Sequence, residues 1–195
     1  MGISVDQFLL DTFDGLKMTD RQRKLFGDVK VEYVRIYQAK HMIEVGLCSS
    51  HLIPYREICL LRHSLESVLY NAGFEVEIRD RYRLSDQYQA QDFWREYKDS
   101  ILLLLKEENI LDFNMLYSGQ AVLKDGVLTL SCEDDGMYRA REHALIETVE
   151  HIFREKAGLE IKMQLDYTEP VKEEEPEATE YEIYHLPKVS KQEPE

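Results

Sequence analysis

The sequence predicts an α+β fold: two small α/β sandwiches in tandem, each containing a ββαβ unit. Two observations carry this prediction. Strand-like alternation and helix-like spacing of apolar residues follow one another in the same order twice. In addition, a helix ending in Ala-Gly leads into a strand twice, as AGFEVEIRDRY at 72–82 and AGLEIKMQLDY at 157–167. Duplication and convergence both remain open as explanations, because glycine commonly ends a helix in unrelated sequences.

The first unit begins with two capping patterns, Ser4 with Gln7 and Thr19 with Gln22, which predict two short helices before the sheet. β-Branched and aromatic residues over 29–36 then predict a strand of about ten residues, and 42–48 alternate as a second strand.

Pro54 suits the first turn of a helix, where its missing N–H costs nothing. An apolar stripe at 3.6-residue spacing continues this helix to Gly73, and the alternating segment 74–78 predicts a third strand that extends toward Tyr82. We therefore assign residues 1–84 to an N-terminal α+β domain with a ββαβ core.

Residues 85–167 form the second predicted domain. Its clearest signal is Asp125-Gly126 between two apolar runs, since both residues tolerate the positive φ of a two-residue hairpin turn. The predicted elements are a long helix opened by Ser85-Asp86 and closed by 106–109, a short helix over 111–117, the hairpin over 121–130, a helix over 137–156 and a strand over 159–167. This α-β-β-α-β order resembles a type II K-homology domain, although the chain has no G-x-x-G loop with which such domains grip single strands.

The chain has 195 residues and a net charge of −14. Residues 168–195 hold nine acidic and three basic residues and four of the five prolines, so they are predicted to form an acidic, Pro/Glu-rich linker that does not fold. An acidic body matches a phosphate backbone poorly, which makes direct nucleic-acid binding an unfavoured prediction.

No basic segment followed by an apolar run starts the chain, and the longest apolar run, 101–105, is far shorter than the roughly 20 residues of a membrane span. The three cysteines lack the spacing of a zinc site or a disulfide framework. These features predict a cytoplasmic protein.

Motifs of catalysis are missing from the sequence, and we predict no catalytic residue, no metal site and no cofactor. His143, Glu147 and His151 share one helix face, but apolar residues on the opposite side indicate that this face is solvated. Cys59 with His63 is interpreted as a core thiol beside an unrelated histidine. The acidic run 133–135 is interpreted as a helix cap, and Trp94 as a core residue.

Two sets of residues are candidates for binding. Tyr181, Ile183, Tyr184 and Leu186 form an apolar island in the acidic linker, which is either a chance cluster or a docking motif for a protein partner. Arg79, Arg81 and Arg83 alternate along one strand face and would contact the phosphates of a single-stranded nucleic acid in the alternative interpretation.

The segment LFGDVKVEYV at 25–34, the strand 43–47, and Trp94-Arg95-Glu96-Tyr97 leading into 102–105 resemble the N-terminal region of PolC, the DNA polymerase III alpha subunit of low-GC Gram-positive bacteria. The close of the second unit, 149–153 through 158–161, resembles it as well. The resemblance covers most of residues 19–167 and consists of apolar patterns and single aromatic residues.

The resemblance implies two small α/β domains that precede the catalytic domains of a DNA-directed DNA polymerase with 3'-5' exonuclease activity. The second small domain would be related to the polymerase-binding end of the clamp-loader tau subunit. No catalytic residue carries over to this chain, because the segments that hold the polymerase and exonuclease carboxylates have no counterpart here. The implied function is a non-catalytic interaction region that holds replisome partners, with tau suspected.

Overall fold

A computed structural model describes residues 2–13, 15–69 and 73–169, and two small mixed sheets with helices give it an α+β architecture, as predicted. The strands are β1 (Gly2–Phe8), β2 (Lys30–Tyr37), β3 (Met42–Ser49), β4 (Glu75–Tyr82), β5 (Gln120–Lys124), β6 (Val127–Glu133) and β7 (Lys162–Thr168). The helices are α1 (Leu9–Thr12), α2 (Asp20–Leu25), α3 (Tyr55–Leu69), α4 (Ala90–Glu108), α5 (Ile110–Ser118) and α6 (Gly136–Ala157).

The first sheet has the order β1-β2-β3-β4, and only the β3–β4 pair is parallel. The second sheet has the order β5-β6-β7, again with an antiparallel hairpin followed by a parallel strand. In each sheet a helix, α3 or α6, makes the parallel crossover. The prediction of two ββαβ units is therefore confirmed.

The first predicted helix is wrong over most of its length. Gly2–Phe8 form strand β1, which pairs antiparallel with β2, and only the four residues Leu9–Thr12 are helical. Pairing with the edge of β2 gives the backbone of this segment its hydrogen bonds, and this tertiary contact outweighs a local capping pattern. The second capping box is confirmed, since the Thr19 hydroxyl accepts from Gln22 N–H at the start of α2.

Helix α4 starts four residues later than Asp86, the predicted opening. The Gln89 N–H donates to Asp92 Oδ2 at 3.1 Å, which caps the helix, whereas the preceding residues form a turn closed by Tyr88 N–H and Ser85 O. The Asp-Gly turn is confirmed, with φ of 50° at Asp125 and 79° at Gly126.

The joints of the two units each contain a glycine with the same backbone conformation, but the strands that follow begin at different distances from it. Gly73 and Gly158 both adopt left-handed backbone, with φ of 66° and 65°. However, β4 begins two residues after its glycine and β7 begins four residues after its own. Because the two distances differ by an even number of residues, equivalent side chains stay on the same face of each strand. Tyr167 therefore occupies the ladder position in β7 that Asp80 occupies in β4.

Buried side chains from both units form one continuous core. Its centre is an aromatic cluster in which Phe93 of α4 lies 4.9 Å from Phe153 of α6 and stacks on Tyr97 at 5.0 Å between ring centroids. Tyr82 of β4 meets Tyr97 edge-on, and Trp94 is buried against Phe153, which confirms Trp94 as a core residue.

Candidate interaction surfaces

The first sheet has one face in the core and one open face. Along β4 every second residue from Val76 is buried or half-buried, whereas Arg79 and Arg81 are exposed on the other side. Glu44 of the central strand β3 is a buried carboxylate on this open face, held by Arg35 at 3.1 Å and by Arg79 at 3.8 Å. The open face is therefore a network of paired charges.

Tyr33 covers the centre of this open face. Its ring lies so close over Gly46 that a Cβ at that position would be 2.3 Å from the ring, and Arg35 stacks on the ring at 4.2 Å. Burial and the nearby Glu44 carboxylate raise the pKa of the Tyr33 hydroxyl. Gly46 thus has a packing role, because only glycine leaves room for the ring.

Two members of the predicted arginine row, Arg79 and Arg81, lie on the edge strand β4, and Arg83 directly follows its end. A carboxylate contacts each of the three. Arg79 pairs with Glu77 as well as Glu44, Arg81 with Glu155 at 3.5 Å, and Arg83 with Glu32 at 2.7 Å. A phosphate would have to compete with these carboxylates for the guanidinium groups.

Arg81 and Arg83 also line a cleft of about 530 Å³ where β4 meets the end of α6. Arg154 and Lys156 come from α6 on the opposite side, and Glu32 and Glu155 supply the carboxylates. The sequence separates these four basic residues by about seventy positions, and the packing of α6 against β4 brings them together.

A buried polar network joins the two units beneath this cleft. Asp80 lies among the core residues of β4 and accepts hydrogen bonds from Lys156 of α6 and from the Tyr82 hydroxyl, the latter at 2.6 Å. The Tyr82 hydroxyl also lies 2.9 Å from Ile53 O and 3.2 Å from the Tyr97 hydroxyl. Burial, together with the Asp80 charge, raises the pKa of both tyrosines.

Sequence reasoning missed this network, although one signal for it was present. Asp80 falls in the apolar phase of β4, after Val76 and Ile78, and a carboxylate at such a position needs a partner. The partner, Lys156, could not be found from sequence because the contact depends on how α6 docks.

A second contact across the units is at the start of α3. The Tyr55 N–H, which has no partner within its own helix, donates to Ser100 Oγ of α4 at 3.0 Å, and the Tyr55 hydroxyl donates to Glu107 Oε2 at 2.6 Å. Burial and the hydrogen bond to Glu107 raise the pKa of this hydroxyl. Helix α4 therefore caps a helix of the first unit.

The other residues that the sequence offered as candidate sites make contacts with a structural role. Asp135 caps α6 by accepting from Met137 N–H at 2.6 Å. Cys59 lies near Glu107 Oε1 at 3.7 Å, and burial followed by that charge raises the pKa of its thiol. His63 contacts Glu66, and His143 contacts Glu147 on an exposed face.

Across residues 2–13, 15–69 and 73–169, no group of three or more His, Cys, Asp or Glu residues is arranged to hold a metal ion. Within the same residues, no helix is both long and apolar enough to cross a membrane. Tyr181, Ile183, Tyr184 and Leu186, the predicted docking residues, lie outside the part of the chain that the structure describes.

Exposed apolar side chains gather on the second unit along α5. Ile110 and Tyr117 are 53% and 70% exposed, and Phe113 stacks on Tyr117 with 5.2 Å between ring centroids. Sequence reasoning treated α5 only as a short helix, although the spacing of these three residues at i, i+3 and i+7 could have indicated an outward apolar face.

Comparison with known proteins gives a family for the first unit. Residues 8–79 match the family described as DNA polymerase III polC-type N-terminus I, a range that runs from the end of β1 into β4. A comparison with curated proteins gives no match. The matched range contains the whole hairpin β2–β3 and the crossover helix α3 that build the first unit. Residues 8–79, which build most of the first unit, are therefore similar to the N-terminal region of PolC-type DNA polymerase III.

Proposed function

We propose that this chain is a non-catalytic protein-interaction region of a bacterial replicative DNA polymerase and that it works in the cytoplasm. The observation that carries the proposal is the match of residues 8–79 to a PolC-type N-terminus. The partner we propose is a replisome protein, the clamp-loader tau subunit.

The two units pack together into one folded body, and this supports a binding role for the acidic segment that follows β7. The shared core and the pair of Asp80 with Lys156 hold the two units together. The body ends at β7, and the acidic segment with the apolar residues Tyr181, Ile183, Tyr184 and Leu186 follows it in sequence. Large apolar side chains are common anchors of protein interfaces, and we assign partner binding to these four residues.

Binding of the full chain to purified tau tests this proposal. We expect a complex with a dissociation constant in the micromolar range or tighter. Replacing Tyr181 and Tyr184 together with alanine should weaken it by about tenfold or more, since buried aromatic anchors dominate interface energies. Val171→Ala with Val189→Ala, in the same segment, is the matched control and should leave the affinity unchanged. Absence of binding at concentrations on the order of tens of micromolar would count against tau as the partner.

Single-stranded nucleic-acid binding is the second candidate, and the basic cleft between β4 and α6 favours it. Arg81, Arg83, Arg154 and Lys156 converge there in a chain that is otherwise strongly acidic. Arg79 lies next to them along the edge strand and would extend the contact.

Fluorescence anisotropy with labelled oligonucleotides tests this second candidate. Three phosphate contacts predict that the logarithm of the affinity falls with the logarithm of salt concentration with a slope of about −2. Arg81→Ala with Arg83→Ala should abolish the signal, and Arg95→Ala, on the surface of α4, is the control. An unchanged anisotropy at low salt would reject nucleic-acid binding and leave the protein-interaction proposal standing.

A further inference from the structure

Helix α5 carries apolar side chains on both of its sides. Met115 and Leu116 are fully buried in the core, whereas Ile110, Phe113 and Tyr117 form the outward side. A surface helix normally presents polar side chains to water, so an apolar outward side is a feature of helices that another segment covers.

Lys106 of the neighbouring helix α4 borders this apolar side, and Lys98 lies about two turns before it on the same helix. Lys106 Nζ lies 5.5 Å from the centroid of the Phe113 ring, and Lys98 Nζ lies 5.6 Å from the centroid of the Trp94 ring. They are eight residues apart on α4, which places them on one face of the helix. We call Lys98, Lys106, Ile110, Phe113 and Tyr117 the docking strip.

The charges of the docking strip differ from those of the arginine row. A carboxylate lies against each of Arg79, Arg81 and Arg83. Within residues 2–13, 15–69 and 73–169, Lys98 and Lys106 each contact an aromatic ring, and no carboxylate is within ion-pair distance of either. An acidic segment with aromatic or branched apolar side chains is therefore the complementary ligand.

We propose that residues 181–186 of this same chain occupy the docking strip. Tyr181, Ile183, Tyr184 and Leu186 would contact the apolar side of α5, and the surrounding acidic residues would contact the two lysines. The segment from residue 168 onward carries a net charge of −6 and this one apolar island, so it has both parts of the complementary chemistry.

The strand order places the start of this segment near α5. Asp166 of β7 pairs with Ser131 of β6, which pairs with Gln120 of β5. Two strand spacings separate Asp166 from Gln120, roughly 10 Å, and Tyr117 precedes Gln120 by three residues. Twelve residues, 169–180, connect Thr168 to Tyr181, and the connection can span about 40 Å, which is ample for the contact.

The consequence is a competition within the chain. A tethered segment binds at an effective concentration that reaches the millimolar range, so even a weak contact would occupy much of the population. A partner that binds the same four side chains would have to displace them from the docking strip. This inference goes beyond the proposed function, because it concerns the isolated chain and holds for any partner.

Photo-crosslinking in the full chain without a partner tests the proposal. With p-benzoylphenylalanine in place of Tyr184, irradiation should give a product with the mass of one chain, and its crosslinked peptide should lie within residues 98–117. Lys106→Glu should lower the yield by about fivefold or more, because it repels the acidic segment. Lys124→Glu, an exposed charge on the hairpin of the same unit, is the matched control and should leave the yield unchanged.

Circular dichroism and the site of crosslinking together show whether the proposed contact exists. Lys106 is exposed, so the variant should keep the circular dichroism spectrum of the parent, which separates a lost contact from a lost fold. Crosslinks to another surface, crosslinks between two copies of the chain, or equal yields for Lys106→Glu and Lys124→Glu would each overturn the proposal. Loss of tau binding alone would not affect it, because the crosslinking is done without tau.

Discussion

The last strands of the two units end in opposite environments. In the first unit, Asp80 and Tyr82 are buried and bond to residues of the second unit. In the second unit, Tyr167 is half-buried, donates to Glu142 of its own unit at 3.0 Å and lies 4.3 Å from the Arg139 guanidinium. The two units share a chain path, yet only the first unit uses the end of its last strand as an interface.

The cause is the position of α6. This helix contacts β4 through the buried pair of Lys156 with Asp80 and the exposed pair of Glu155 with Arg81, and it also crosses over its own sheet to reach β7. Helix α6 thus packs against both sheets, whereas α3 packs against the first sheet. A repeated ββαβ path can therefore place the end of its last strand at a buried junction in one copy and at the surface in the other.

Loss of the shared aromatic core should have the largest effect on this arrangement. Phe153→Ala removes the ring that contacts Phe93 and Trp94, and we expect it to lower the free energy of unfolding by about 3–5 kcal/mol. Urea unfolding followed by Trp94 fluorescence and by circular dichroism should shift together. Leu69→Ala, on the outer part of α3, is the control and should cost less. Two separate transitions, with only one of them shifted, would contradict a shared core.

Removal of the charge at the junction should have the next largest effect. Asp80→Asn leaves Lys156, only 15% exposed, without its counter-ion, and breaking such a buried pair typically costs about 3 kcal/mol. Asp112→Asn is the matched comparison, because Asp112 is also buried but its partner Arg141 lies within the second unit and reaches solvent. The comparison between the units would fail if Asp112→Asn shifted the denaturant midpoint more than Asp80→Asn.

Gly73 and Gly158, the glycines that precede the two last strands, should respond equally to substitution. Gly73→Ala and Gly158→Ala each place a Cβ at a left-handed position, with open space around it, so only the backbone cost of about 1 kcal/mol applies. Thermal unfolding of both variants measures it. A much larger loss at one of the two positions would show that the two glycines are not equivalent.

The smallest effect is a difference in tyrosine ionisation. Burial, and then the hydrogen bond to Glu142, raise the pKa of Tyr167 to about 12. The pKa values of Tyr82 and Tyr97 are raised by burial and by Asp80. Because the folded pKa of Tyr167 exceeds the unfolded value of about 10, its stabilising contribution is complete below pH 10 and is lost as the pH rises toward 12.

Alkaline titration by ultraviolet absorbance measures this difference. Tyr167→Phe should remove one reversible ionisation near pH 12, whereas Tyr82→Phe should remove only ionisation that accompanies unfolding. Reversible ionisation of Tyr82 in the folded chain would contradict its place in the junction.

Sequence reasoning predicted the units and their order from signals that act over short distances. Asp125-Gly126 closes the hairpin and Gly158 ends α6, because positive φ at these positions is a local requirement. It failed at Ser4, where a capping pattern competes with strand pairing to β2. Alignment of the stretches 72–82 and 157–167 matches Tyr82 to Tyr167, whereas the strand ladders match Asp80 to Tyr167. The sequence does not reveal this difference, because a two-residue shift in register leaves the pattern of apolar positions unchanged.

By itself, the sequence determined the α+β class, the two ββαβ units and the acidic segment that follows them, since hydrophobic periodicity, glycine caps and net charge are properties of neighbouring residues. Only the tertiary structure decided that Asp80 meets Lys156, that a carboxylate accompanies each of the three arginines at 79, 81 and 83, and that α5 keeps an apolar side exposed. These contacts join residues far apart in the chain, and they depend on how α4 and α6 pack between the sheets, which no local pattern encodes.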